Sequence, residues 1–124
     1  MTATEAQALA ARYIAAWNET DPTRRQALLA ALWTENATYQ DPLMQGTGHA
    51  GIAALIEGVQ ARFPGFRFAL AGRPDGYADR LRFSWTLGPA SGEVVVAGTD
   101  FAQLAEDGRL HTVAGFLDRL PGEA

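Results

Sequence analysis

Residues 93–118 read EVVVAGTDFAQLAEDGRLHTVAGFLD, two apolar-alternating runs around Glu106-Asp107-Gly108. Such runs on either side of a turn dipeptide mark a β-hairpin, with strands over 93–105 and 109–118. Two closures are open. If Asp107-Gly108 is a two-residue turn, Asp100 faces Gly115 and shares its face with Gly98, Ala102, Val113 and Leu117. If 106–108 is a three-residue bulged turn, the pairing moves by one and these neighbours change. A carboxylate among small and apolar residues is desolvated, which raises its pKa. Gly98 and Gly115 inside strands mark bulges or bends.

Upstream the same period of two continues. Phe66, Phe68 and Leu70 form one alternation, and Tyr77, Leu81, Phe83, Trp85 and Leu87 another, ahead of a turn at GPASG. Residues 1–62 follow a different period. Ala6, Leu9, Ala10, Tyr13, Ile14 and Trp17 form a helical stripe, opened by a Thr2–Glu5 capping box. Asp21-Pro22 starts a second helix with Leu28, Leu29, Leu32 and Trp33 on its apolar face. NATYQ (36–40) gives a short strand, and a third helix spans about 49–62 with Ile52, Leu55, Ile56 and Val59 as its stripe. The expected fold is α+β. Three N-terminal helices pack on a curved, meandering antiparallel sheet of one domain, 1–124, and enclose a cone-shaped apolar pocket.

Composition narrows the function. The 124 residues are 48% hydrophobic and 19% charged, with net charge −4. All ten basic residues are arginines and they are scattered, which disfavours nucleic acid. With no cysteine, thiolate chemistry, disulfides and Cys-ligated zinc are excluded. No apolar run is long enough to span a membrane and no basic-then-apolar leader opens the chain, so a cytoplasmic protein is expected. Two distant histidines, His49 and His111, make a poor metal signature. His49 opens the third helix near the expected pocket mouth, while His111 lies far along the strand from Gly115, about 13 Å at 3.3 Å per residue.

Three residues can carry chemistry. Asp100 sits in an apolar strand. Tyr13 is a phenol on a buried stripe and needs a polar partner there. Asp41 shares a strand face with Ala37 and Tyr39, and is either a turn residue before Pro42 or a carboxylate at the cavity mouth. Trp17, Trp33, Phe63, Phe83 and Trp85 are expected to shape the pocket.

The segment LAARYIAAWNETDPTRRQALLAALWTENATYQDP (9–42) resembles the opening of ketosteroid isomerases. Those belong to the nuclear-transport-factor-two-like fold that also holds the SnoaL-like polyketide cyclases. ARYI around Tyr13, ATYQDP around Asp41 and DFAQLAEDGRL from Asp100 carry the resemblance, which extends over nearly the whole chain. It implies an isomerase- or cyclase-type proton transfer on a small hydrophobic carbonyl compound, without metal or organic cofactor. Asp41 would be the base, with Tyr13 and protonated Asp100 as donors to the enolate oxygen. In the cyclase version Asp100 takes the acid/base role and Asp41 supports it. Tyr39, on the face of Asp41, His49, at the start of the third helix, and Gly115, opposite Asp100, are also expected at the substrate site, and Trp33 and Ile56 stand where the isomerases carry supporting tyrosines. The other reading is a non-catalytic ligand-binding or dimerisation domain. Phe101, Phe116 and Val95 are expected on the outer sheet face, where a homodimer would cover them.

Overall fold

In a computed structural model that describes residues 1–122, the capping signals act where the sequence puts them. The Thr2 hydroxyl accepts from Glu5 N and the Glu5 carboxylate accepts from Thr2 N, starting α1 (Ala3–Asn18). The Asp21 carboxylate accepts from Arg24 N at 2.8 Å and Pro22 opens α2 (Pro22–Leu32). The chain enters β1 (Trp33–Gln40) with no intervening loop, since Trp33 is also the C-cap of α2. A three-residue strand β2 (Gln45–Thr47) leads into α3 (Gly48–Arg62). Four strands follow: β3 (Arg67–Tyr77), β4 (Arg80–Gly88), β5 (Val96–Leu104) and β6 (Leu110–Arg119).

These strands form one curved, unclosed sheet in the order β2-β1-β6-β5-β4-β3, and the fold is α+β. It differs from the expected meander in two ways. The sheet is mixed, because β1 and β6 pair in parallel while every other pair is antiparallel. Alternation records which face a residue occupies and not the direction of its neighbour, so the parallel pair leaves no mark in the sequence. Strand β2 was also not anticipated; its QGT lacks the apolar alternation by which strands are read.

The hairpin that organises the sheet closes by the three-residue turn. Ala105 N donates to Arg109 O at 2.8 Å, Gly108 N donates to Ala105 O at 2.9 Å, and Gly108 takes φ +85°. Leu104 pairs with Leu110, one step out of phase with the Gln103–Thr112 pair. His111 is the extra residue, and this bulge cancels the shift made by the turn. Asp100 consequently faces Gly115.

The core lies between the concave sheet face and the helices, with α1 over β3 and α3 against β1 and β2. Ala6, Ala10 and Ala16 are fully buried, so α1 comes close to the sheet. A buried arginine fixes α3. Arg25 of α2 is 3% exposed and donates to Glu57 and Gln60 of α3 at 2.9 and 3.1 Å, and to the Glu19 carbonyl at 3.1 Å. This cross-link ties the C-terminal half of α3 to the α1–α2 connection.

Candidate functional site

Tyr13 points from α1 toward β5 and donates a 2.7 Å hydrogen bond to Asp100 Oδ2. From β4, Trp85 Nε1 donates to Asp100 Oδ1 at 3.2 Å. Gly98 makes that second contact possible. A Cβ at position 98 would fall 2.4 Å from Trp85 Cζ2, so only glycine lets the indole lie across β5. Asp100 is 2% exposed. Burial pushes its carboxyl up to about 6 against the opposing pull of the Tyr13 and Trp85 donors, with the charge of Asp41 adding to the rise. Burial, then the charge of Asp100, raises the Tyr13 phenol well above its ordinary value.

A second tyrosine–carboxylate pair stands beside the first. Tyr39 donates to Asp41 Oδ2 at 2.7 Å, while Asp41 Oδ1 accepts from Leu43 N at 2.8 Å and Met44 N at 3.0 Å. Asp41 is therefore both the turn residue and the cavity residue that the sequence left as alternatives. Its side chain locks the 41–44 turn at the end of β1. Burial and the nearby Asp100 and Asp41 raise the Tyr39 phenol far above its usual range.

The two pairs meet over Gly115 of β6. A Cβ there would fall 2.9 Å from Asp100 Oδ1, 3.1 Å from the Tyr39 hydroxyl and 3.2 Å from Asp41 Cβ. Gly115 acts by clearance, while the irregularity in β5 lies at Ala97–Gly98.

Tyr13, Asp41 and Asp100 all border one cavity of about 640 Å³. Trp17, Tyr39, Phe63 and Trp85 also line it. Five expected pocket residues do not, and one of them is Gly115, which stands behind the Asp100 and Asp41 side chains. Trp33 and Phe83 stand behind Tyr13, with ring centroids 5.7 and 4.7 Å from the phenol ring, and are 0% and 2% exposed. They fix the phenol from the core side and leave the cavity wall to others. Ile56 is fully buried in the core cluster. His49 turns away, with its Nε2 2.8 Å from the Trp33 carbonyl. Among the described residues no His, Asp or Glu side chains cluster as metal ligands do.

Several lining residues escaped the sequence reading. Met44 and Leu43 come from the Asp41 turn, and Phe68, Val96 and Leu117 from the sheet. The third helix contributes Ala54, Leu55, Gly58, Val59 and Arg62. Only Leu55 and Val59 belonged to the apolar stripe. The others lie on its flank, and periodicity does not tell a flank facing a cavity from one facing solvent.

A buried carboxylate with two donors thus stands at the wall of a largely apolar cavity inside a bent sheet. A SnoaL-like domain model matches residues 10–112, and the chain belongs to the SnoaL-like family of the nuclear-transport-factor-two-like fold. A crystal structure from Agrobacterium tumefaciens, provisionally named an isomerase of the SnoaL-like family, is 50% identical. It superposes with a TM-score of 0.89 over 93% of this chain and 98% of that one. A protein from Jannaschia sp. CCS1, provisionally named a SnoaL-like polyketide cyclase, is 16% identical. Its TM-score is 0.73, over 93% of this chain and 86% of its own. A nuclear-transport-factor-two-like protein from Exiguobacterium sp. 255-15 is 22% identical, with a TM-score of 0.69 over 89% and 98% of the two chains. The latter two likenesses concern the fold alone. No curated protein matches the chain.

Proposed function

We propose that this protein is a cofactor-free isomerase- or cyclase-type enzyme that moves a proton at the carbon next to a carbonyl in a small, largely apolar compound. Asp100 is the base. The observation that carries this reading is a 2%-exposed carboxyl on the cavity wall whose pKa of about 6 suits proton abstraction near neutrality. The ionised Asp100 takes the α-proton of the carbonyl compound. Once Asp100 is neutral, its hold on the Tyr13 hydroxyl weakens, and that O–H can turn to the enolate oxygen. Trp85 keeps the carboxyl in place throughout. Asp100 then returns the proton to another atom of the substrate, which completes an isomerisation, or holds it while the enolate carbon attacks a second carbonyl and then gives it to the alkoxide so formed, which closes a ring and restores the ionised Asp100.

Asp41 is a positioning residue in this scheme. Its two oxygens already accept three hydrogen bonds. The ketosteroid-isomerase assignment exchanges the roles, with Asp41 as base and neutral Asp100 as donor. A group with a pKa of about 6 is only about one-tenth protonated at pH 7, which favours the Asp100 reading.

The working unit in this proposal is a homodimer joined through the outer sheet face, in the cytoplasm; the lack of cysteine fits a reducing compartment.

α-Deuterium exchange of 4-phenyl-2-butanone, followed by proton NMR, tests the assignment. Asp100→Asn is expected to lower the catalysed rate by about 100-fold or more, and Asp41→Asn by less than about tenfold. An Asp100→Asn protein as fast as wild type overturns it.

A further inference from the structure

The cavity is uneven in charge along α3. Asp41 and Asp100 supply carboxylates on its sheet side, and the one cationic side chain among its lining residues is Arg62, in the last turn of the helix. Arg62 makes no ion pair among the described residues. Its guanidinium rests 5.4 Å from the centroid of the Phe63 ring, another wall residue, which holds it at the cavity rim. A residue in the last turn is favoured there by the helix dipole, which explains a positive charge but not its place on a ligand cavity.

A second observation comes from Gly58, one turn before Arg62 on the same flank of α3. Glycine in a helix interior is unfavourable, and a reason for it is normally visible as a positive φ or a close neighbour. Gly58 has neither. Its backbone is helical, and beyond its chain neighbours and the backbone of its own helix a Cβ there would meet no atom within 4 Å. It nevertheless lines the cavity. Gly58 is exposed, so the room left by its missing side chain opens on both the cavity and its mouth, and a ligand body can lie there.

We infer that the substrate is an anionic carbonyl compound, with an apolar body lying over Gly58, a carboxylate-type group at Arg62 and its carbonyl toward Asp100. The inference rests on the cavity being the substrate site of the proposed function. The two carboxylates repel the anionic end and Arg62 attracts it, so the charge pattern admits the ligand in one orientation only and delivers the carbonyl end to Asp100.

Calorimetric titration at pH 7.5 and low ionic strength tests this with 4-(3-oxobutyl)benzoate and its methyl ester. Wild type is expected to bind the acid about fivefold more tightly than the ester, the scale of an exposed ion pair. Arg62→Gln should bring that ratio close to one, and Arg62→Lys should restore part of it. Gly58→Leu should weaken acid binding about tenfold while raising the thermal midpoint, a combination a merely structural glycine would not give. A wild-type ratio near one, a ratio that survives Arg62→Gln, or no binding of either probe overturns the inference. So does a Gly58→Leu protein that binds as well as wild type. α-Deuterium exchange of the acid reports the proton-transfer reading separately. A charge preference without exchange sinks that reading and leaves this one standing, and exchange without a preference does the reverse.

Discussion

At the scale of single residues, Asp100 couples function to stability. Its carboxyl lies at about 6 in the folded chain against an ordinary 3.8. Between about pH 4 and pH 6 the folded state therefore keeps a proton that the unfolded state has released. Stability from this group is present in full below about pH 4 and is lost as pH rises through about 6, a difference of about 2–3 kcal/mol. Glu35 and Asp107, held low by hydrogen bonds to Arg109 and, for Asp107, first by the Arg109 backbone, act with the opposite sign at lower pH. Urea unfolding at pH 4.5 and pH 7 should show Asp100→Asn gaining on wild type at the higher pH. Parallel pH dependences in the two proteins would remove the buried-charge account. The carboxylate in an apolar strand, the phenol on a buried stripe and the small neighbour opposite were all legible in the sequence. The indole donor was not, because Trp85 reaches Asp100 only through the gap over Gly98.

At the scale of elements, the hairpin and Arg25 show where reading by period succeeds and fails. Both strands and their turn were visible, yet the pairing beyond the three-residue turn is set by a bulge at His111 that no local pattern announces. The pairing expected for a two-residue turn arises from a three-residue turn plus one extra residue. The direction of β1 beside β6 was invisible for a related reason: it depends on contacts between strands far apart in sequence. Arg25 reads as an ordinary helical arginine until α3 arrives to surround it. Since Glu57 remains 58% exposed, Arg25→Met leaves no buried charge behind, only orphaned acceptors. The variant should lose about 2 kcal/mol in urea unfolding. It should also bind cavity ligands less tightly, since α3 carries a wall of the site. Unchanged stability would contradict the role of Arg25 as the tie on α3.

At the scale of the whole molecule, the convex sheet face carries Phe101 and Phe116, 48% and 56% exposed, packed edge-to-face 6.2 Å apart. Val95, expected with them, is half-buried against the core just ahead of β5. The aromatic pair is the centre of the proposed dimer contact. Sedimentation at micromolar concentration should give a dimer for wild type and a monomer for Phe101→Arg. A wild-type monomer would dismiss the dimer without touching the cavity. No described helix is long and apolar enough to cross a membrane.

The cavity joins these scales, since α1, the β1 turn, α3 and the sheet each place one part of it around Asp100. The most direct test of that arrangement is the pH profile of kcat/KM for α-deuterium exchange of 4-phenyl-2-butanone from pH 5 to 8. With ionised Asp100 as base, the rate rises with pH and levels off above an apparent pKa of about 6, and Asp100→Asn abolishes the step. A rate that falls as pH rises through 6 would mean that protonated Asp100 is the active form, and would contradict the account.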